Sequence, residues 1–460
     1  MAEQFKEQGG AATMDPSPMR RWLQSKLLTK IISHKHLQKQ RDRQEKRRIK
    51  FATQPTVEYF HQVDDPYSYL AAQCLAELAQ RYDIKLVCHL VSVASGKNIP
   101  EPDLLGELSR HDAYSIASHY GLSFAHASQQ PDAQLAERAT AILVSLALDN
   151  AQSFVEHVAV VTETLWSSDQ QALNALSQEL GMASSDQVKH AIKQGNMRRQ
   201  QLGHYSSAMF YCDNEWYWGV DRLYHLEKRL AALGIDREVG RPSLVPRPQI
   251  INGPLKDHAR LTLEFYVSLR SPYTAIIFDR VVALAASTGV HLALRPVLPM
   301  VMRGVPATRA KGIYIFMDAA REAREAGVDF GHFYDPIGDP TRRCYSLYQW
   351  ACDQGKGVEL IGNFLNCAFV KGVNTNNNRG LKKVVEDTGL DWLEAKKLVG
   401  QPGWEDALES NRQVMYSAGL WGVPSFRLLD ETGQQILVTW GQDRLWLIAK
   451  EIQRQLTLRN

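Results

Sequence analysis

Two short stretches of this 460-residue chain are repeated at long range and in the same order. Asp65-Pro66-Tyr67-Ser68-Tyr69 is answered 206 positions later by Ser271-Pro272-Tyr273-Thr274-Ala275, each after a strand-like run. Trp218-Gly219-Val220-Asp221-Arg222-Leu223 is answered 222 positions later by Trp440-Gly441-Gln442-Asp443-Arg444-Leu445. Repeats so far apart exclude a solenoid and mean two copies of one domain. The copies are unequal. Asp65 stands where the second has Ser271, and Ala208 where the second has Pro424, so chemistry lost in one copy can persist in the other.

The pattern predicts a disordered start over 1–17, a basic helix over 18–50, a first domain over 51–233, a linker over 234–259 and a second domain over 260–460. In the first domain a strand at 57–61 precedes a helix from Pro66 to about Tyr82, with proline in the first turn where its missing N–H is no loss. A strand at 84–91, a helical stretch over 101–203, strands at 208–212 and 215–218, and a helix from Asp221 to about Leu233 complete it. The linker carries Pro242, Pro246, Pro248 and Pro254, which argue against regular structure. The second domain repeats the plan: strand 261–267, helix 272–287, strand 290–297, helical insertion 306–420, strands 425–429 and 435–439, and a helix from Gln442 to about Leu456. The turn Asp430-Glu431-Thr432-Gly433 joins its last two strands, with glycine suited to a left-handed position. The order βαβ, helices, ββα is the thioredoxin plan with an all-helical insertion, and the βαβ unit implies a parallel pair with a right-handed crossover.

Composition adds limits. Six cysteines occur without a Cys-x-x-Cys pair, so neither a dithiol motif nor zinc-ligand spacing is present, and no metal is expected. No apolar run is long enough to span a bilayer, and the first fifteen residues lack a signal-peptide core, so the expected location is cytoplasmic. The net charge of +3 conceals twelve Lys/Arg against two acids between Arg20 and Lys50. That arm could meet nucleic acid or an anionic membrane. Its apolar stripe of Trp22, Leu23, Leu27, Leu28, Ile31 and Ile32 better suits a helix docked on the body through that stripe, with its basic end solvated.

Phe265-Tyr266, Ser271-Pro272-Tyr273, Gly422-Val423-Pro424-Ser425-Phe426 and Trp440-Gly441-Gln442-Asp443-Arg444 together resemble the 2-hydroxychromene-2-carboxylate isomerases. These belong with the kappa-class glutathione transferases in the DsbA-like branch of the thioredoxin superfamily. The resemblance implies an α/β chain of two tandem DsbA-type domains, each with a large helical insertion, behind a basic N-terminal helix. It implies glutathione as the thiol and a small electrophile as its substrate. Ser271 takes the place of the redox cysteine and would hydrogen-bond the thiolate, a role that also suits an N-cap at a helix end favouring anions. Pro424 matches the cis-proline, exposing the backbone of Val423 to pair with the thiol's peptide backbone. Gln442 and Asp443 resemble the binders of the glutamyl amino group. Lys311 lies early in the insertion, where the family often places a basic residue near substrate; a solvated helix lysine fits it better.

The departures fall mainly in the first copy. It has Asn98-Ile99-Pro100, a motif the second lacks, but Asp65 would repel a thiolate and Ala208 makes a cis peptide costly. It reads as a degenerate partner, with Asp221 and Arg222 capping its last helix. Among the aromatics of the second insertion, Tyr314, Phe316, Trp350 and Trp404 suit core packing, and Trp421, close to Pro424, suits the site. Three functions follow: a glutathione-dependent isomerase or transferase working in the second copy, a non-catalytic thioredoxin-like binding protein, and an oxidoreductase by fold only. Lack of cysteine at 65 and 271 counts against the last. Oligomeric state is not encoded in any of these motifs.

Overall fold

The computed structural model describes residues 15–94, 96–124, 129–305 and 307–459. The expected start of the second insertion, Pro306, and most of the expected disordered segment 1–17 lie outside them. Two compact units are present: one holds the chain from Gln249 onward together with the N-terminal stretch up to Lys39, and the other is Gln40–Pro248.

Helices α1 (Pro18–Ile32) and α2 (His34–Phe51) replace the single helix expected over 18–50. Ser33 breaks it, donating its hydroxyl to Lys30 O at 2.8 Å and accepting from His36 N–H at 3.2 Å. The docked face of α1 also differs from expectation. Trp22, Leu23 and Leu27 are exposed, while Arg21, Ser25 and Ile32 are buried. The inner face is polar because its partner is an extended backbone with free donors and acceptors. Arg21 donates to Asp335 O and Ile337 O, both at 2.6 Å, Asp335 N–H donates to Ser25 Oγ at 3.0 Å, and Thr29 exchanges bonds with Phe333. Of the predicted stripe, only Leu28 and Ile32 reach the second domain's core.

The first domain runs β1 (Thr56–His61), α3 (Pro66–Ala72), α4 (Leu75–Arg81), β2 (Lys85–Leu90), α5 (Pro102–Ala117), α6 (Ala133–Asp149), α7 (Ala151–Trp166), α8 (Gln170–Leu180), α9 (Ser185–Gln201), β3 (Met209–Cys212), β4 (Glu215–Trp218) and α10 (Gly219–Ala232). The helix expected from Pro66 to Tyr82 is two, divided at Gln73, whose amide turns aside to Ser123 O at 2.9 Å. Strand order is β2-β1-β3-β4, with β1 and β2 parallel and the rest antiparallel. Helix α9 approaches β2 at Gly195, where a Cβ would sit 2.0 Å from Leu90 O. Only glycine permits that contact.

The second domain runs β5 (Thr262–Val267), α11 (Pro272–Thr288), β6 (His291–Pro296), α12 (Arg309–Ala326), α13 (Asp339–Tyr345), α14 (Tyr348–Asp353), α15 (Gly357–Phe369), α16 (Asn378–Asp387), α17 (Trp392–Leu398), α18 (Glu405–Ser417), β7 (Ser425–Leu429), β8 (Gln435–Trp440) and α19 (Leu445–Arg459). The order β6-β5-β7-β8 repeats that of the first sheet. Helix α11 packs on α12, α15 and α19 over a core in which Phe265 and Phe426 stack at 5.0 Å. Phe316, Trp350 and Trp404 belong to that core or pack against it, as expected of them. Gly433 has φ 83 in the last hairpin, and Asp430 accepts from Thr432 N–H and Gln434 N–H.

Arg21→Met should cost the second domain about 2 kcal/mol in urea unfolding, while Leu23→Gln stays within about 0.5 kcal/mol. Gly195→Ala should lower the melting temperature of the first domain. The helix-interior control Gly106→Ala, whose Cβ would meet only Arg110 Nη1 at 3.6 Å, should hold or raise it.

Candidate functional site

The site is built where α11 begins. Ser271 is its N-cap: with φ −86° and ψ 115°, its Oγ accepts from Thr274 N–H at 3.1 Å, and Pro272 fills the first helical position. The same hydroxyl donates to Val423 O at 3.3 Å. The Val423–Pro424 peptide is cis, so the loop before β7 turns its backbone toward the helix end. Val423 is half-buried, and its N–H meets no hydrogen-bond partner among the described residues. Ser271, Val423 and Pro424 therefore lie together.

The rest of the site hangs from that loop. Pro424 O accepts from Gly441 N–H at 2.9 Å, which carries Gln442 and Asp443 to its side. Gln442 is buried and gives its Nε2 to Glu322 Oε2 at 3.1 Å, and also bonds Asp443 Oδ1. Its Oε1 is buried with no hydrogen-bond donor facing it among the described residues. Asp443 is half-buried, in a short 3₁₀ turn that precedes α19 rather than in the helix itself. Lys311 stands in the first turn of α12 with Nζ 5.4 Å from the centre of the Trp421 ring. Burial holds its amine down at about 8, against an ordinary 10.5. Lys311 is half-buried rather than a freely solvated helix lysine. Trp421 is itself 5.3 Å from Trp440, and Gly422 is required between them because a Cβ there would lie 2.7 Å from the Trp440 indole nitrogen.

Arg303 escaped sequence reasoning. It is buried, donates to Leu298 O at 3.0 Å and Trp421 O at 3.1 Å, and so ties the segment after β6 to the loop that holds Val423. Its neighbours Met302 and Gly304 carry no signal of this. Glu322 was equally unreadable, since one helix glutamate looks like another until its partner Gln442 is known.

The first domain has the same frame with different groups. Asp65 caps α3 by accepting from Ser68 N–H at 2.9 Å and Ser68 Oγ at 2.7 Å. Burial raises its carboxyl to about 6 in spite of those bonds and one from Ser207. Ala208 O accepts from Gly219 N–H at 2.7 Å, as Pro424 O does from Gly441, but Ala208 sits at φ 54°. Helix α10 begins at Gly219 without a side-chain cap. Asp221, expected to cap it, instead accepts from Tyr120 OH at 2.9 Å. Arg222, paired with it in that expectation, is buried and donates to Asp221 O at 3.0 Å.

Cysteine chemistry has no foothold at either helix start. Cys74, Cys212, Cys344 and Cys367 are buried, Cys88 and Cys352 half-buried, and all six are unpaired. Burial pushes the Cys74 and Cys212 thiols up to about 12 and raises the other four as well. Among the described residues no three His, Cys, Asp or Glu side chains are grouped to hold a metal, and no helix is long and apolar enough to cross a membrane.

Because the folded state disfavours the Lys311 ammonium, second-domain stability should rise as pH climbs from about 8 toward 10.5. Lys311→Met should flatten that rise in melting temperature against pH.

Two segments, 56–231 and 262–453, match the model of the DSBA-like thioredoxin domain. No curated protein matches the chain. Among solved structures, a 2-hydroxychromene-2-carboxylate isomerase is 17% identical, with 43% of this chain and 97% of its own covered and a TM-score of 0.36. The cytosolic disulfide reductase DsbM from Pseudomonas aeruginosa is 20% identical, with 43% and 99% covered and a TM-score of 0.34. A probable DsbA oxidoreductase from Streptomyces coelicolor is 16% identical, with 42% and 91% covered and a TM-score of 0.34.

Proposed function

The chain belongs to the DsbA-like thioredoxin family, and from that premise we propose that its second domain is a glutathione-dependent isomerase or transferase acting on a small electrophile. The observation that carries this reading is the Ser271 hydroxyl, held between the first turn of α11 and Val423 O. A hydroxyl at a helix N-terminus can turn its proton from a carbonyl to an anion at little cost, and the helix end favours that anion. Such a bond to a charge is worth about 1.5–3 kcal/mol, or roughly one to two units of thiol pKa.

The neighbouring groups fit a tripeptide thiol. Val423 offers an N–H with no partner among the described residues to a peptide carbonyl. Gln442 Oε1 and the Asp443 carboxylate offer acceptors to a glutamyl ammonium. The Lys311 ammonium, still mostly protonated at pH 7, would steady negative charge developing on the electrophile. Bound glutathione supplies a nucleophile that adds to the electrophile; elimination gives an isomerase, retention a transferase. Ser271, unable to form a disulfide, does not support thiol–disulfide exchange.

Titration calorimetry of glutathione at neutral pH should give one site per chain. Ser271→Ala should weaken it by about tenfold or more and lower the thiolate absorbance near 240 nm. No saturable binding by the wild type sinks the reading and moves the weight to a peptide-binding protein that uses the Val423 edge.

A further inference from the structure

The common register lets the two domains be compared atom by atom, away from the site just described. Val91 N–H donates to His61 O at 2.9 Å in the first domain, and Val297 N–H to Val267 O at 2.9 Å in the second, 206 positions on. Beyond that bond the paired strands separate in both. In the second domain a phenol bridges the gap. Tyr345, fully buried, accepts from Leu269 N–H at 3.3 Å and donates to Val297 O at 3.0 Å. One hydroxyl serves a backbone donor and a backbone acceptor together, which few groups besides a hydroxyl or water can do.

The corresponding atoms of the first domain are Val63 N–H and Val91 O. Both valines are buried, yet among the described residues these two groups meet no partner. The residue 206 positions before Tyr345 is Ala139, which has no hydroxyl to offer. Val63 and Val91 instead line a groove of about 930 Å³ with mixed walls, apolar at Leu90, Ala136, Met182 and Ile192 and charged at Asp64, Glu137, Arg138 and Lys189. That volume is in the range of small-molecule sites. Water could serve the two backbone groups, whereas a phenol, the group that Tyr345 uses in the second domain, would serve them and also cover the apolar part of the walls.

We propose that this groove of the first domain binds a phenol-bearing small molecule, its hydroxyl set between Val63 N–H and Val91 C=O as Tyr345 is set in the second domain. The first domain is then a ligand-binding module in its own right. This stands independently of the glutathione reading, which concerns other residues in the other domain.

Ligand-observed NMR titration of the full chain with para-cresol, toluene and para-methylanisole tests it. Para-cresol should bind saturably at about 1 mM or better, a scale fitting so small a ligand. Toluene lacks the hydroxyl and para-methylanisole lacks its proton, so both should bind at least about tenfold more weakly. Ala136→Trp should abolish para-cresol binding by filling the groove. Met182→Trp, from a position more than half exposed on another wall, should do the same if the first variant does not fold. Ser271→Ala should leave it unchanged. Equal binding of the three ligands, binding that survives the tryptophan variants, loss in Ser271→Ala, or no saturation by para-cresol each overturns the proposal.

Discussion

Glu264 lies on the central strand of the second sheet with 2% of its surface exposed. A carboxylate so placed is tolerable only if cations converge on it. Arg295 on β6 reaches it at 2.7 Å and Arg427 on β7 at 2.9 Å, so the charge is held from both neighbouring strands. The first sheet repeats the device 206 positions earlier: Glu58 is met by His89 on β2 and Arg198 on α9. Burial pushes the Glu58 carboxyl up, but those partners outweigh it and hold it down at about 2. This clamp fixes which residue of each strand faces which. With Tyr266 opposite Ser425, the residue before β7, Pro424, falls beside the end of β5, and Ser271 follows four residues beyond that strand. The contact between hydroxyl and loop is thus a consequence of strand register.

What the duplication kept and what it changed separate scaffold from chemistry. Tyr67 OH donates to Asp112 at 2.8 Å and Tyr273 OH to Asp318 at 2.8 Å, both tying the first helix of the domain to its insertion. The central glutamate and the bond from Gly219 or Gly441 to the loop before the third strand are kept as well. The first two touch no candidate ligand group, and the third reaches only the backbone oxygen of residue 208 or 424. The groups that differ, at 65 and 271, at 208 and 424, and at Tyr345, sit where a ligand would be held. Differences at such places mean that the two copies met different demands while sharing one frame.

Much of this was legible in the chain. Strand positions could be read to within a residue or two, because short β-branched and aromatic runs flanked by turn residues have few other uses. Ser271, Val423 and Pro424 could be paired because the family resemblance assigns each of them to one site. The docking of α1 was not legible. Periodicity counts apolar residues, and it pointed to Trp22, Leu23 and Leu27, whereas the partner of α1 is an open backbone that Arg21, Ser25 and Thr29 satisfy by hydrogen bonds. Arg303 was hidden for a related reason: its worth lies in two carbonyls, at 298 and 421, that no local pattern brings together.

The choice of residue at the helix start decides what each domain can receive there. The exposed N–H groups of a first helical turn favour one negative charge. Asp65 supplies that charge from the protein itself and spends it on Ser68, so a second anion would meet repulsion from a carboxylate already in place. Ser271 caps α11 with a neutral oxygen and leaves the positive end of the helix without a charge partner of its own at the cap. The second domain therefore favours an incoming anion at its helix start, and the first does not. On the first domain the proposed recognition surface is instead the groove with its two backbone groups, which asks for a neutral hydroxyl.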